Sequence, residues 1–224
     1  MSDDLHSLAN DGILRAAINT GNRALVQREG DHLSGVSPAL ALRFAQEIGA
    51  DLHPVIYDGA GKVFADAHGD VWDVAFLAVD AMRAEKVAFT RPYHTIEATF
   101  AVRASSALQN VEQVDRPGVR VLTSTGSAYD MHLTKTLQHA SLERSGTPPA
   151  SFAEFRAGRC DAVAGVRASL EGFFGDDRDV RILSGVLTAV HQAMVLPRND
   201  DPRISALDDF VARAVSDGFV AAHL

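Results

Sequence analysis

Short apolar runs alternate with stretches of helical periodicity along most of this chain. Residues 13–19 (ILRAAIN) read as a first strand. Residues 38–48 (PALALRFAQEI) carry apolar positions at helical spacing, with Pro38 in the first turn and Gly49 just past the end, the punctuation of an amphipathic helix. A second strand at 52–57, a short helix at 61–67 and a third strand at 72–79 (WDVAFLAV) follow. Strands separated by helices predict an α/β fold with a mostly parallel sheet.

The middle of the chain changes character. Residues 95–102 (TIEATFAV) alternate and then run apolar, as expected of a strand crossing between two lobes. Asp115-Arg116-Pro117-Gly118 is a turn signal. Beyond it the pattern predicts a strand at 119–123, helices at 127–140 and 151–157, and a strand at 161–166. Residues 187–195 (LTAVHQAMV) form a second long extended segment, before a closing helix at 204–214 and a tail helix after Asp217-Gly218. Two crossings divide the chain into lobe one (1–93 plus 195–224) and an inserted lobe two (98–187), with hinge segments at 94–97 and 188–194. Such a layout is expected to leave a ligand cleft between the lobes, at the carboxyl ends of parallel strands.

One stretch bears directly on chemistry. After the third strand, Asp80 stands at an N-cap position and Arg83 in the first helical turn, where a cation sits badly against the helix dipole and a Glu or Gln could close a capping box. A cation tolerated there suggests an anionic neighbour, and a guanidinium matches a carboxylate with two parallel hydrogen bonds. The residues alone leave open a surface Arg83 paired with Glu85 or Asp80.

Apolar residues make up 46% of the 224, enough for a substantial core. The net charge of −8 argues against nucleic acid as a partner. The single cysteine, Cys160, permits no internal disulfide and argues against a Cys-based metal site. No cofactor is expected. The polar start MSDDLHSLANDG lacks a basic n-region and an apolar h-region, and no apolar run is long enough for membrane insertion. As written the chain is expected in the cytoplasm, or in the periplasm if a signal peptide was removed.

Several motifs in order resemble the bacterial extracellular solute-binding proteins of the polar amino-acid type, the ligand-catching components of ABC transporters. These are Gly35-Val36, Trp72-Asp73-Val74, Asp80-Ala81-Met82-Arg83 and Phe89-Thr90-Arg91-Pro92-Tyr93, and the resemblance runs from Gly12-Ile13-Leu14-Arg15 to Gly218-Phe219. The resemblance implies a type II periplasmic-binding-protein fold of two lobes with mixed, mostly parallel sheets joined by two crossing strands. It also implies an ABC permease as partner, and a role for Arg83 in clamping a ligand carboxylate.

Other ligand-binding candidates follow. Thr125, Gly126 and Ser127 join a strand to a helix start, where hydroxyls and free backbone N–H groups make an anion pocket; the alternative is a loop that only caps a helix. The resemblance favours the ligand role. Asn19 and Asn22 end the first strand, where turn chemistry is the alternative. Phe76 and Ala78 occupy positions where many relatives carry Ser or Thr, and Val166 stands where amino-acid binders place a carboxylate for the ligand's ammonium. A standard α-amino acid is therefore doubtful unless Asp73 or Glu97 supplies the missing charge. Arg167 is a candidate second cation, and Glu97 and Gln192, like His94 and His191, lie on or beside the crossing segments. The expected function is a solute-binding protein that closes two lobes over a small anionic metabolite or amino acid. The alternative is a cytosolic dehydratase- or lyase-like enzyme on the same scaffold, with Glu97 or His191 as general acid or base.

Overall fold

The structure, a computed structural model, describes residues 3–224; the first two residues of the polar start lie outside the described residues. In chain order the elements are α1 (Asp3–His6), β1 (Ile13–Asn19), β2 (Gln27–Glu29), β3 (His32–Ser34), α2 (Val36–Glu47), β4 (Asp51–Tyr57), α3 (Ala60–Ala65), β5 (Val74–Ala78), α4 (Ala81–Ala84), β6 (Ala88–Phe89) and β7 (His94–Arg103). They continue with β8 (Arg120–Ser124), α5 (Ala128–Thr136), β9 (Ser141–Ser145), α6 (Pro148–Arg156), β10 (Ala162–Val166), α7 (Arg167–Phe174), β11 (Val180–Ile182), β12 (Thr188–Leu196), α8 (Ile204–Ser216) and α9 (Phe219–Ala222).

The chain divides into two compact units, one of residues 1–20, 25–95 and 191–224, the other of residues 21–24 and 96–190. Placing 21–24 with the second unit departs from the expectation that residues 1–93 stay together. The reason is local: the Arg23 amide donates to the Ser169 hydroxyl at 3.1 Å, which itself donates to the Gly21 carbonyl.

In the first unit β1 pairs in parallel with both β4 and β5, while β12 runs antiparallel to β5 and β6. Ala17, Ala75, Leu77 and Val195 cover one face of this sheet, packed with Trp72 and Val63. In the second unit β8 pairs in parallel with β9 and β10, and β7 runs antiparallel to β10 and β11. Its core gathers Leu122, Phe152, Phe155, Leu170 and Phe174, each large side chain worth roughly 1.5–3 kcal/mol of burial. Apolar runs explain the buried strands of each unit: β5 and β10 are buried at every position.

Boundaries moved where side chains captured the backbone. β5 begins at Val74, two residues later than expected. Trp72 instead donates its indole N–H to the Val63 carbonyl, and Asp73 takes the Arg15 amide at 2.7 Å. Helix α5 stops at Thr136 rather than 140. The carboxylate of Asp115 receives the amides of Gln138, His139 and Ala140, holding them out of the helix. Helix α6 starts at Pro148, earlier than expected, because Thr147 caps it and Pro suits the first turn. At the entry to α2, Gly35 has φ 99°, and a Cβ there would lie 2.5 Å from the Leu25 carbonyl oxygen, so only glycine fits.

Candidate functional site

The first unit's candidates collect at the carboxyl end of β5. Asp80 is the N-cap of α4, and its carboxylate accepts from the Met82 and Arg83 amides. Helix α4 is only four residues long, so its dipole is weak and, contrary to expectation, does little to oppose a cation. The surface alternative is also excluded, because Arg83 is 1% exposed. Its guanidinium donates from Nη1 to the Ala78 carbonyl at 3.0 Å and lies 6.0 Å from the Phe64 ring centroid. Burial pushes the Arg83 guanidinium down to about 10, outweighing the attraction of Asp80. Its surroundings therefore disfavour the cation on balance.

Gln192 stands directly across the ladder from Ala78, and Met194 across from Phe76. Gln192 is 4% exposed, and its side-chain amide makes no hydrogen bond among the described residues. Its carbonyl accepts the Tyr93 amide at 2.8 Å. Tyr93 meets the Phe76 ring edge-on at 6.1 Å, and its hydroxyl hydrogen-bonds Ser37 at 3.1 Å. Arg83, Ala78, Gln192, Phe76 and Tyr93 thus form one neighbourhood with a cation, a buried amide and two aromatic rings. Asn19 ends β1 opposite Tyr57. His191 engages the Thr95 hydroxyl through Nδ1 at 2.9 Å, and burial lowers the His94 imidazole.

The second unit departs further from expectation. Ser127 caps α5, accepting the Asp130 amide, as its sequence suggested. The loop's amides are not free, however. Thr125 donates its amide to the Ser145 carbonyl, Gly126 to the Asp130 carboxylate at 2.9 Å, and Ser127 to the Ser124 carbonyl. The Thr125 hydroxyl also donates to Ser145. The expected anion pocket of free N–H groups is therefore corrected: the loop satisfies itself. Arg167 is likewise tethered, to Glu97 at 3.3 Å and to the Leu183 and Gly185 carbonyls. Arg167 and the half-exposed Glu97 carboxylate therefore face each other within the second unit, a pairing the sequence did not suggest. Asn22 keeps a buried Oδ1 with no hydrogen-bond partner. So does the Thr123 hydroxyl, which sequence reasoning missed, because a Thr inside an apolar strand reads as an ordinary core position.

The motif pieces also find structural explanations. Arg15 clasps Asp73 at 2.7 Å and Asp70 at 2.6 Å, so the first-strand and third-strand motifs are two halves of one clasp. Within Phe89–Tyr93, the Thr90 amide and hydroxyl bond to Met194, and Arg91 pairs with Asp208 at 2.7 Å.

Among solved structures the fold is matched at high similarity. A mutant of ArgBP from T. maritima superposes with a TM-score of 0.82 at 21% identity, covering 99% of this chain and 96% of that one. An amino acid ABC transporter substrate-binding protein, AbpA from Streptococcus pneumoniae, bound to L-arginine, gives 0.81 at 20% identity over 95% and 93% of the two chains. The ancestral amino acid-binding protein AncCDT-1, a precursor of cyclohexadienyl dehydratase, gives 0.80 at 18% identity over 99% and 96%. No curated protein matches the chain. The fold is thus the periplasmic-binding-protein type II fold. Residues 14–223 match the model of the bacterial extracellular solute-binding proteins, family 3, and the chain belongs to that family.

Proposed function

We propose that this chain is a solute-binding protein that captures a small carboxylate-bearing metabolite or amino acid, with Arg83 holding the carboxylate. The observation that carries this reading is a guanidinium at 1% exposure whose charge its own surroundings disfavour. A ligand carboxylate reverses that balance with charge-assisted hydrogen bonds. Asn19, Phe76, Ala78 and Gln192 complete the first unit's contribution. Of the second unit's own candidates, Asn22 keeps a buried Oδ1 without a hydrogen-bond partner, while Thr125, Gly126 and Ser127 are engaged within their own loop and helix cap. Arg167 and Glu97 pair with each other within the second unit. Titration calorimetry against amino acids, dicarboxylates and aromatic acids, repeated on Arg83→Ala, tests this. Unchanged affinity of every hit in the variant removes the clamp.

The alternative enzyme reading assigns proton transfer to Glu97 or His191. Glu97 pairs with Arg167, and His191 hydrogen-bonds the Thr95 hydroxyl. A product formed from a cell extract and lost in Glu97→Gln would restore the enzyme. Among the described residues no helix is long and apolar enough to cross a membrane, and the family is described as extracellular. We infer periplasmic residence beside an ABC permease, tested by fractionating native cells and by capture of the permease on the tagged protein.

A further inference from the structure

A hollow of about 330 Å³ lies within the first unit, at the end of the sheet where β1 and β5 begin; Leu8, Arg15, His68, Trp72, Arg198 and Arg203 help to line it. The length of β5, roughly 16 Å, separates this end from Arg83. The walls come from well-separated stretches of chain, tied down by their own polar contacts. Arg15 clasps Asp70 and Asp73. Arg203 pairs with Asp201 at 2.6 Å and donates to the Ser7 carbonyl at 3.0 Å. His68 reaches the Lys86 carbonyl through Nε2 at 3.1 Å, and Trp72 donates to the Val63 carbonyl. A hollow of ligand size whose walls are already fixed loses little freedom on binding. The three arginines differ in their engagement. Arg15 and Arg203 are bonded to aspartates of the chain, whereas Arg198 is exposed and its guanidinium makes no hydrogen bond or ion pair among the described residues. It acts on Asp201 only at a distance. The backbone that carries Arg198 is held: Asn199 donates from Nδ2 to the Glu85 carbonyl at 2.6 Å, and the Arg198 carbonyl accepts the Asp201 amide. The lining sets three guanidinium groups against two carboxylates, Asp70 and Asp73, a local excess of positive charge in a chain of net charge −8.

We propose that this hollow is a second binding site, for a small oxyanion, a carboxylate or a phosphate, with the Arg198 guanidinium as its principal donor. A planar guanidinium fixed at its backbone and free at its tip meets two oxygens of either anion with parallel hydrogen bonds. The site is separate from the Arg83 clamp and does not rest on it. An anion held there stabilises the folded first unit by mass action.

Trp72 is the one tryptophan of the chain, so its fluorescence reports on this hollow. The test titrates the full chain at constant ionic strength with inorganic phosphate and with malonate, against chloride as control, and follows the amide resonances of Asn199, Asp200 and Asp201 in parallel. The expected result is a saturable change with phosphate or malonate and none with chloride; the tighter of the two identifies the source of the oxyanion. Arg198→Gln should weaken that binding at least about ten-fold at an unchanged melting temperature, since the guanidinium has no partner to lose. Arg83→Met should leave it within about two-fold. Absence of a saturable change in both signals overturns the inference, and so does binding that survives in Arg198→Gln. Binding lost in Arg83→Met overturns it as well, because the anion then belongs to the clamp.

Discussion

The two ends of β5 in the first unit treat an arginine in opposite ways. At the end where the strands begin, Arg15 meets Asp73 and Asp70 within 2.7 Å, and these partners raise the pKa of its guanidinium. At the end where the strands finish, Arg83 is more deeply buried, yet burial outweighs its favourable contacts and lowers its pKa to about 10. The first cation is neutralised by the chain's own carboxylates and holds two motif segments together. The second is kept in an environment that a small acid would improve. A buried cation whose protein contacts do not offset its desolvation is a poor stabiliser and a good receptor.

Substitution separates the two roles. Replacing Arg83 by Met keeps the volume and removes the charge. Affinity for the bound acid should fall about 100-fold, roughly 3 kcal/mol from lost charge-assisted hydrogen bonds. The melting temperature of the unliganded protein should stay level or rise, since a desolvated charge is gone; a large fall in stability would show Arg83 to be structural after all. Arg15→Met should do the reverse. Urea unfolding should report a loss of about 3 kcal/mol from leaving Asp73 without its partner, while calorimetry finds the same affinity within about two-fold.

Acid sharpens the contrast. Arg15 holds the Asp70 carboxyl below the usual range, as Arg203 does for Asp201 and Arg91 for Asp208. A carboxyl with a lowered folded-state pKa adds stability that is present above its unfolded value of about 4 and disappears as pH falls through the folded value. The urea midpoint should therefore hold steady from about pH 7 to pH 5 and fall below about pH 4, less steeply in Arg15→Met. Arg83 stays charged over that whole range, so ligand affinity should be flat between about pH 6 and pH 8, where a simple carboxylate ligand is ionised. The smallest effect concerns the second unit. Ser127→Ala removes a helix cap and should cost about 1 kcal/mol with affinity changed less than about three-fold, because its hydroxyl serves α5. A larger affinity loss would return that loop to direct ligand contact.

Local pattern made much of the fold legible. The strands at 13–19, 52–57 and 161–166 lie within two residues of β1, β4 and β10, because buried strands are written in continuous apolar runs. The hairpin of β2 and β3, the edge strand β9 and the short β11 were not anticipated. Their residues are polar or too few to show a period: Gln27–Glu29 is exposed throughout, and Ser141–Ser145 mixes charge with hydroxyls. Asp80 and Ser127 as caps were readable, since capping needs only near neighbours. The free amides expected at Thr125 and Gly126 were misread because their acceptors, Ser145 and Asp130, are set by β9 and by the turn of α5.

Sequence alone determined the α/β alternation, the family motifs and the presence of an arginine just after β5, because these depend on periodicity and on residues close along the chain. Tertiary structure decided the chemical standing of each charged group. Asp73 belongs to Arg15 across 58 positions and Glu97 to Arg167 across 70, and no local pattern encodes pairings so distant. Burial of Arg83 and of Gln192 was decided in the same way, by β12 folding back beside β5. Electrostatics depends on distance and solvent access in space, and those exist only once the chain has folded.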